Sequence, residues 1–180
     1  MVLIERLNSL SDGDHAVDLL VGEGQEAVEP LRHYLLDGKP SHIFQPRQLA
    51  VTALAGLGAK DVLIEYLYAP KEIVDPLVRF GEEAVINTAA RLLAVWQTDE
   101  VFDALLHVAS TQAPAGVIDA LASFKRPETI ELFIEALKDD FSRNAAENAL
   151  KQMGEEAKSA LFKILLTTQG ETDKDHPSLL

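Results

Sequence analysis

Two short patterns in the sequence have residue types and spacings that chemistry could use. Gly22, Gly24 and Ala27 form GxGxxA, which matches the turn that binds the pyrophosphate of a dinucleotide. That turn needs a β-strand before it, and the apolar residues before Gly22 have helical spacing, so the pattern favours a turn between helices. Glu131 and Glu135 lie one helical turn apart, as a catalytic carboxylate pair could. Such a pair must line a cleft that separates its two pKa values, and a solvated helix face is the simpler interpretation.

Other catalytic groups are scarce. The chain has no cysteine, which excludes disulfides, thiolate zinc sites and cysteine nucleophiles. Adjacent acids such as Glu82 and Glu83 point in different directions on a helix, so we interpret them as favourable neighbours of a helix N-terminus rather than as metal ligands. Because no nucleophile, base and orienting group converge, we predict no catalytic residues, no metal site and no cofactor.

Acidic residues outnumber basic ones. The 180 residues include 29 Asp and Glu against 16 Lys and Arg, which gives a formal net charge of −13. A negative field repels phosphate backbones and anionic membranes, so we expect neither nucleic acid nor membrane partners, and a basic protein partner fits better. The oligomeric state stays open. No apolar run is long enough to span a membrane, and the N-terminus lacks a secretory signal, so we expect a cytoplasmic protein.

Apolar residues recur along the chain with helical spacing. Four segments place apolar side chains at positions i, i+3, i+4 and i+7, which lie on one stripe of an α-helix. Leu54, Leu93, Leu121 and Leu150 occupy the same position in the four stripes, at separations of 39, 28 and 29 residues. A second apolar helix follows each stripe, so the repeating unit is a helical hairpin. The stripes lie at residues 50–57, 89–96, 117–124 and 146–153.

The repeats define one domain. We predict a single repeat array over residues 1–167, with about five hairpins once a degenerate N-terminal copy is included, and no sheet. Residues 1–11 are predicted to form a capping helix. The long first separation indicates an insertion at residues 69–80, where two prolines, including Pro76, favour a turn and one short helix. Residues 168–180 are predicted to form a flexible tail.

Turn and cap residues support the same register. Thr98 precedes the second helix of its repeat, and Ser142 is expected to cap the helix that carries the last stripe. Gly58 and Gly154 each follow a stripe and permit the reversal into the next helix. Trp96 holds the fourth stripe position and is predicted to be a core residue.

The repeats resemble the short HEAT-like repeat family, including repeats of the phycobilin-lyase type. The resemblance covers residues 12–167 and is carried by segments such as AVTALAGLGAKDVLIEYL and VIDALASFKRPETIELFIEAL. It implies an all-α fold in the form of a right-handed α-α superhelix, a HEAT/armadillo-like solenoid. Most proteins of this kind bind other proteins, which implies a non-catalytic interaction scaffold.

Enzymatic relatives of the HEAT-like family offer alternatives. The iron-dependent hydroxylases need His-Glu dipeptides, and none of the five histidines here precedes a glutamate. The DNA-glycosylase relatives need a basic groove, against which the net charge argues, so nucleic-acid binding is the weaker alternative. The phycobilin-lyase relatives leave open a tetrapyrrole-binding, lyase-like function, for which Tyr66, Tyr68 and Trp96 are the available aromatic residues.

The same repeat offsets align acidic residues on the polar face of the second helices. Equivalent positions stack side by side in a solenoid, and the second helices of HEAT-like arrays usually line the concave face. We therefore predict an acidic, concave groove that binds a basic protein segment. The alternative interpretation is a solubilising surface without a partner. The aligned residues, called the acidic row below, are Asp61, Tyr68, Glu100, Asp103, His107, Glu128, Glu131 and Glu135.

Overall fold

Helices make up all the regular structure in the described part of the chain. The computed structural model describes residues 2–9, 12–69 and 72–172, and the predicted all-α fold is confirmed for them. Four 3-10 turns extend or join the α-helices, at Arg6–Asn8, Gly24–Ala27, Ala94–Trp96 and Pro127–Thr129. The α-helices are α1 (Val2–Glu5), α2 (Gly13–Glu23), α3 (Val28–Leu36), α4 (Gln45–Gly56), α5 (Lys60–Tyr68), α6 (Pro76–Leu93), α7 (Asp99–Thr111), α8 (Ala115–Ser123), α9 (Ile130–Ala136), α10 (Arg143–Met153) and α11 (Glu155–Thr172).

The even-numbered helices pack in series. Helix α2 contacts α4, α4 contacts α6, α6 contacts α8, and α8 contacts α10. Odd-numbered helices pack beside them, since α3, α5, α7 and α9 each contact the next even-numbered helix, and α5 also contacts both α3 and α7. The apolar stripes lie in the resulting core, where Leu54, Leu93 and Leu121 are fully buried. Trp96 packs on this core and is half-buried rather than enclosed.

The predicted insertion has a different structure from the one we expected. No separate short helix forms in residues 72–80 of the predicted insertion. Instead, α6 begins at Pro76 and runs unbroken to Leu93. The reason lies in the Asp-Pro start. The side chain of Asp75 accepts hydrogen bonds from the backbone N–H groups of Leu77, at 2.8 Å, and Val78, at 3.3 Å. Proline at the first helical position loses no hydrogen bond, so a complete N-terminal cap starts the helix there.

The two ends of the chain are described in part. The predicted N-terminal cap is α1 and the 3-10 turn Arg6–Asn8, while residues 1, 10 and 11 lie outside the described residues. At the other end α11 continues to Thr172, into the segment predicted to be a tail, and residues 173–180 lie outside the described part. None of the described helices combines the length and apolar character that a membrane crossing requires.

A left-handed turn residue recurs after the even-numbered helices. Gly58, Gln97, Lys125 and Gly154 have φ angles of 69°, 48°, 52° and 60°. They are separated by 39, 28 and 29 residues, as the apolar stripes are. The residue type predicts this turn at the two glycines, which have no Cβ to clash with the backbone. At Gln97 and Lys125 the packing of the flanking helices imposes the same turn on residues that disfavour it.

Lys125→Gly is expected to raise the free energy of unfolding by about 0.5–1 kcal/mol. Glycine removes the steric cost of a Cβ atom at positive φ, and its greater freedom in the unfolded chain offsets part of the gain. Urea unfolding followed by circular dichroism measures the change. Lys125→Ala is the matched control, because it removes the charged side chain and keeps the Cβ atom. An equal gain in both variants would contradict the backbone explanation.

Ser142 occupies the predicted cap position before α10 but makes a different bond. Its hydroxyl donates to the backbone carbonyl of Ala113, at 2.7 Å, and no side-chain bond caps α10. The residue therefore ties the start of α10 to the loop between α7 and α8. Thr98, at the cap position of α7, likewise makes no side-chain cap bond to that helix.

Candidate functional site

The residues of the acidic row are all exposed, and all but Glu128 lie on the odd-numbered helices. Helix α5 carries Asp61 and Tyr68, and α7 carries three members. Glu128 lies in the 3-10 turn that leads into α9, which carries the last two. The three members on α7 are Glu100, Asp103 and His107, and the two on α9 are Glu131 and Glu135.

Two pairs of residues separated by the repeat offsets are neighbours in space. The rings of Tyr68 and His107, which are 39 residues apart, lie with their centroids 4.8 Å from each other at an interplanar angle of 41°. The guanidinium of Arg91 lies 3.6 Å from the carboxylate of Asp119, 28 residues further along the chain. Equivalent positions on α5 and α7, and on α6 and α8, are therefore adjacent at these points.

Basic residues neutralise part of the row. Lys60 Nζ lies 3.1 Å from a carboxylate oxygen of Glu100, and its hydrogen bond lowers the pKa of Glu100, so this carboxyl group stays charged. Arg126 contacts Asp99, lies 3.9 Å from Glu128, and stacks on the ring of Phe102 with its Cζ 4.1 Å from the centroid. Neither cation follows from the repeat offsets, which align only the acidic positions.

Three carboxylates of the row make no ion pair within the described residues, namely those of Asp61, Asp103 and Glu131. Glu135 pairs at 2.6 Å with Lys138, in the turn after α9, where both side chains are exposed and the pair contributes little stability. Glu131 and Glu135 share a solvated face of α9, as the simpler sequence interpretation had it. The row thus combines three unpaired carboxylates with an aromatic contact at one end.

A buried polar network, which the sequence analysis did not identify, joins four helices. Arg47 on α4 donates to both carboxylate oxygens of Glu82 on α6, at 3.2 Å each, and to the backbone carbonyls of Leu35, at 3.0 Å, and Gly38, at 3.2 Å. Tyr66 on α5 donates to the same carboxylate at 2.6 Å. Burial and the adjacent carboxylate raise the pKa of Tyr66 well above its ordinary value, so its hydroxyl stays protonated as the donor.

This network corrects one interpretation of the sequence. Glu82 is not a partner of a helix N-terminus, because α6 begins at Pro76 and the Glu82 side chain is buried against Arg47. Tyr66, one of the three aromatic residues named for the tetrapyrrole alternative, is 1% exposed, and its hydroxyl donates to Glu82. The other two aromatic residues named for that alternative lie outside the network. Tyr68 packs on His107 at the surface, and Trp96 is half-buried.

The GxGxxA pattern has no β-strand before it in the part of the chain that the structure describes. The pattern runs from the end of α2, which contains Gly22, into the 3-10 turn that begins at Gly24. Among the residues that the structure describes, no three His, Asp or Glu side chains lie close enough together to hold a metal ion.

Comparison with known proteins adds no relative: no protein-family model matches the chain, and no curated protein matches its sequence. In the part of the chain that the structure describes, the protein is all-helical, and its odd-numbered helices carry many exposed carboxylates.

Proposed function

We propose that the protein is a non-catalytic interaction scaffold whose acidic row binds a basic segment of another protein. The proposal includes its architecture: about five helical hairpins stacked as a right-handed solenoid of the short HEAT-like kind. The serial packing of α2, α4, α6, α8 and α10 supports that architecture, as do the left-handed turns that recur at the repeat spacing.

The observation that carries the proposal is a set of three carboxylates, those of Asp61, Asp103 and Glu131, that make no ion pair with any residue the structure describes. They lie on successive odd-numbered helices. Exposed carboxylates that lack internal cations can exchange water for lysine or arginine of a partner without breaking an existing ion pair. The net charge of −13 adds a long-range attraction that raises the association rate of a basic segment. Tyr68 and His107 offer an aromatic surface on which an arginine of the partner can stack.

A charge-matched comparison tests the proposal. The triple variant Asp61→Asn, Asp103→Asn, Glu131→Gln is expected to bind a fluorescent lysine-rich decapeptide about tenfold more weakly than the unaltered chain, because each lost pair contributes up to about 1 kcal/mol. Fluorescence anisotropy at low ionic strength gives the affinity, and added salt should reduce the difference.

The matched control changes three exposed acids of α2 and the turn after it: Asp14→Asn, Glu23→Gln and Glu26→Gln. Both triple variants alter the net charge from −13 to −10, since each removes three negative charges. The control is expected to weaken binding less than about twofold. Equal losses in the two variants would show that the peptide responds only to total charge, and the acidic row would then have no particular role.

A further inference from the structure

Aromatic side chains are exposed near the N-terminal ends of two even-numbered helices, α6 and α10. Phe80, in the second turn of α6, is 64% exposed, and Phe141, just before α10, is 88% exposed. Both line one cleft of about 240 Å³, called the Phe80–Phe141 cleft, whose floor includes Ala113 and Pro114 from the loop before α8. Neighbouring Leu77 is also exposed. Grouped exposed apolar side chains of this size mark interaction surfaces, because the fold gains little stability from them.

Two carboxylates share the cleft with the phenyl rings. Glu83 accepts a hydrogen bond from the side chain of Gln112 at 3.1 Å, and Asp139 accepts one from the backbone N–H of Phe141 at 2.9 Å. Burial raises the pKa of Glu83, and the negative charge of Asp139 raises it further, while Arg79 opposes the shift. With two acids against one arginine, the cleft is negative as well as apolar.

We infer that the Phe80–Phe141 cleft is a docking site for a protein segment in which one arginine or lysine stands between apolar residues. The basic group would lie between the carboxylates of Glu83 and Asp139, with its stem against the phenyl rings, where stacking and charge act together. The apolar neighbours of that residue would cover Phe80, Phe141 and Leu77. Arginine fits best, because its planar guanidinium both stacks and donates to two carboxylates.

A second copy of this chain is a poorer occupant. Two copies would bring net charges of −13 together, and each cleft already contains more acids than bases. A partner segment with positive charge meets no such repulsion. The inference is independent of the acidic row, whose residues do not line this cleft.

A peptide selection with the purified full chain tests the inference. The probe is a phage-displayed library of random dodecapeptides, selected on the unaltered chain and counter-selected on the variant Phe80→Ser, Phe141→Ser. Peptides that survive are expected to hold one arginine or lysine beside apolar residues. Their affinity, measured by calorimetry, should fall about tenfold or more in Phe80→Ser, Phe141→Ser and about fivefold in Glu83→Gln, Asp139→Asn.

Two controls separate this site from the others. Phe162→Ser removes another exposed phenyl ring, on α11, and should leave the selected peptides bound. The acidic-row triple variant should also retain them, so the two proposals can fail separately. The inference is overturned if no peptide survives counter-selection, if surviving peptides lack a basic residue, or if Glu83→Gln, Asp139→Asn binds them unchanged. Sedimentation showing a dimer that Phe80→Ser, Phe141→Ser dissociates would also overturn it.

Discussion

Glu82→Ala is expected to lower the free energy of unfolding by about 3–5 kcal/mol, as removal of one partner from a buried ion pair typically does. The change leaves the guanidinium of Arg47, which is 5% exposed, without its carboxylate. It also leaves the hydroxyl of Tyr66 without the acceptor that it contacts at 2.6 Å. Urea unfolding followed by circular dichroism measures the loss.

The loss of stability is large because the hydrogen bonds of the network hold Arg47 in its buried position. Arg47 also donates to the carbonyls of Leu35, near the end of α3, and Gly38, just after it, so it cannot turn toward solvent without releasing them. An uncompensated charge therefore stays buried in the variant, and its lost solvation is not recovered. The network connects the end of α3 with α4, α5 and α6, so the cost falls on the packing of all four helices.

Two further variants separate the charge from the packing. Glu83→Ala removes the adjacent, half-buried carboxylate and is expected to cost less than about 1 kcal/mol, because its partner Gln112 is exposed. Replacing the network together, as Arg47→Met, Tyr66→Phe and Glu82→Leu, should recover part of the stability lost in Glu82→Ala, because no buried charge is then left unpaired. The recovery is incomplete because the carbonyls of Leu35 and Gly38 lose the donor that Arg47 supplies. If Glu82→Ala were as stable as Glu83→Ala, the network would not be closed to water.

The sequence predicts the helices and turns well because those features are local. Apolar residues at helical spacing place the stripes of α4, α6, α8 and α10, and glycine at 58 and 154 marks two of the left-handed turns. The turns at Gln97 and Lys125 could be found only from the repeat spacing, since neither residue type favours them. Asp75 followed by Pro76 is a sequence signal for the start of a helix, and it indicates the beginning of α6 without a separate insertion.

The polar contacts are less predictable because they join residues without a common period. Arg47, Tyr66 and Glu82 lie in three different helices, at separations of 19 and 16 residues, and Tyr66 fits the apolar pattern of α5 by itself. Only the approach of α4 to α6 shows that Arg47 faces Glu82. For the same reason the repeat offsets do not predict the pairing of Lys60 with Glu100. The exposed positions of the acidic row, in contrast, follow directly from helical spacing.

Gly116→Ala is expected to lower the free energy of unfolding by about 2–3 kcal/mol, through overpacking and the loss of a hydrogen bond. Gly116 lies in the first turn of α8, where its backbone N–H donates to the side-chain oxygen of Asn87 on α6 at 2.7 Å. An added Cβ atom would lie 2.6 Å from that oxygen and 2.9 Å from the Cα atom of Asn87. Because the second contact is with backbone, a change of side-chain rotamer cannot relieve it.

Gly22→Ala is the matched control for this variant, since Gly22 is also helical and its added Cβ atom would meet nothing within 4 Å. Alanine is the better helix former, so this control should stabilise the chain by up to about 1 kcal/mol. Opposite signs for the two Gly→Ala changes are therefore expected in the same urea unfolding measurement, and a gain at both positions would contradict the close approach of α6 and α8. Helix α6 and the loop that leads into α8 line the Phe80–Phe141 cleft, so Gly116→Ala should also weaken binding of the peptides selected there, whereas Gly22→Ala should not.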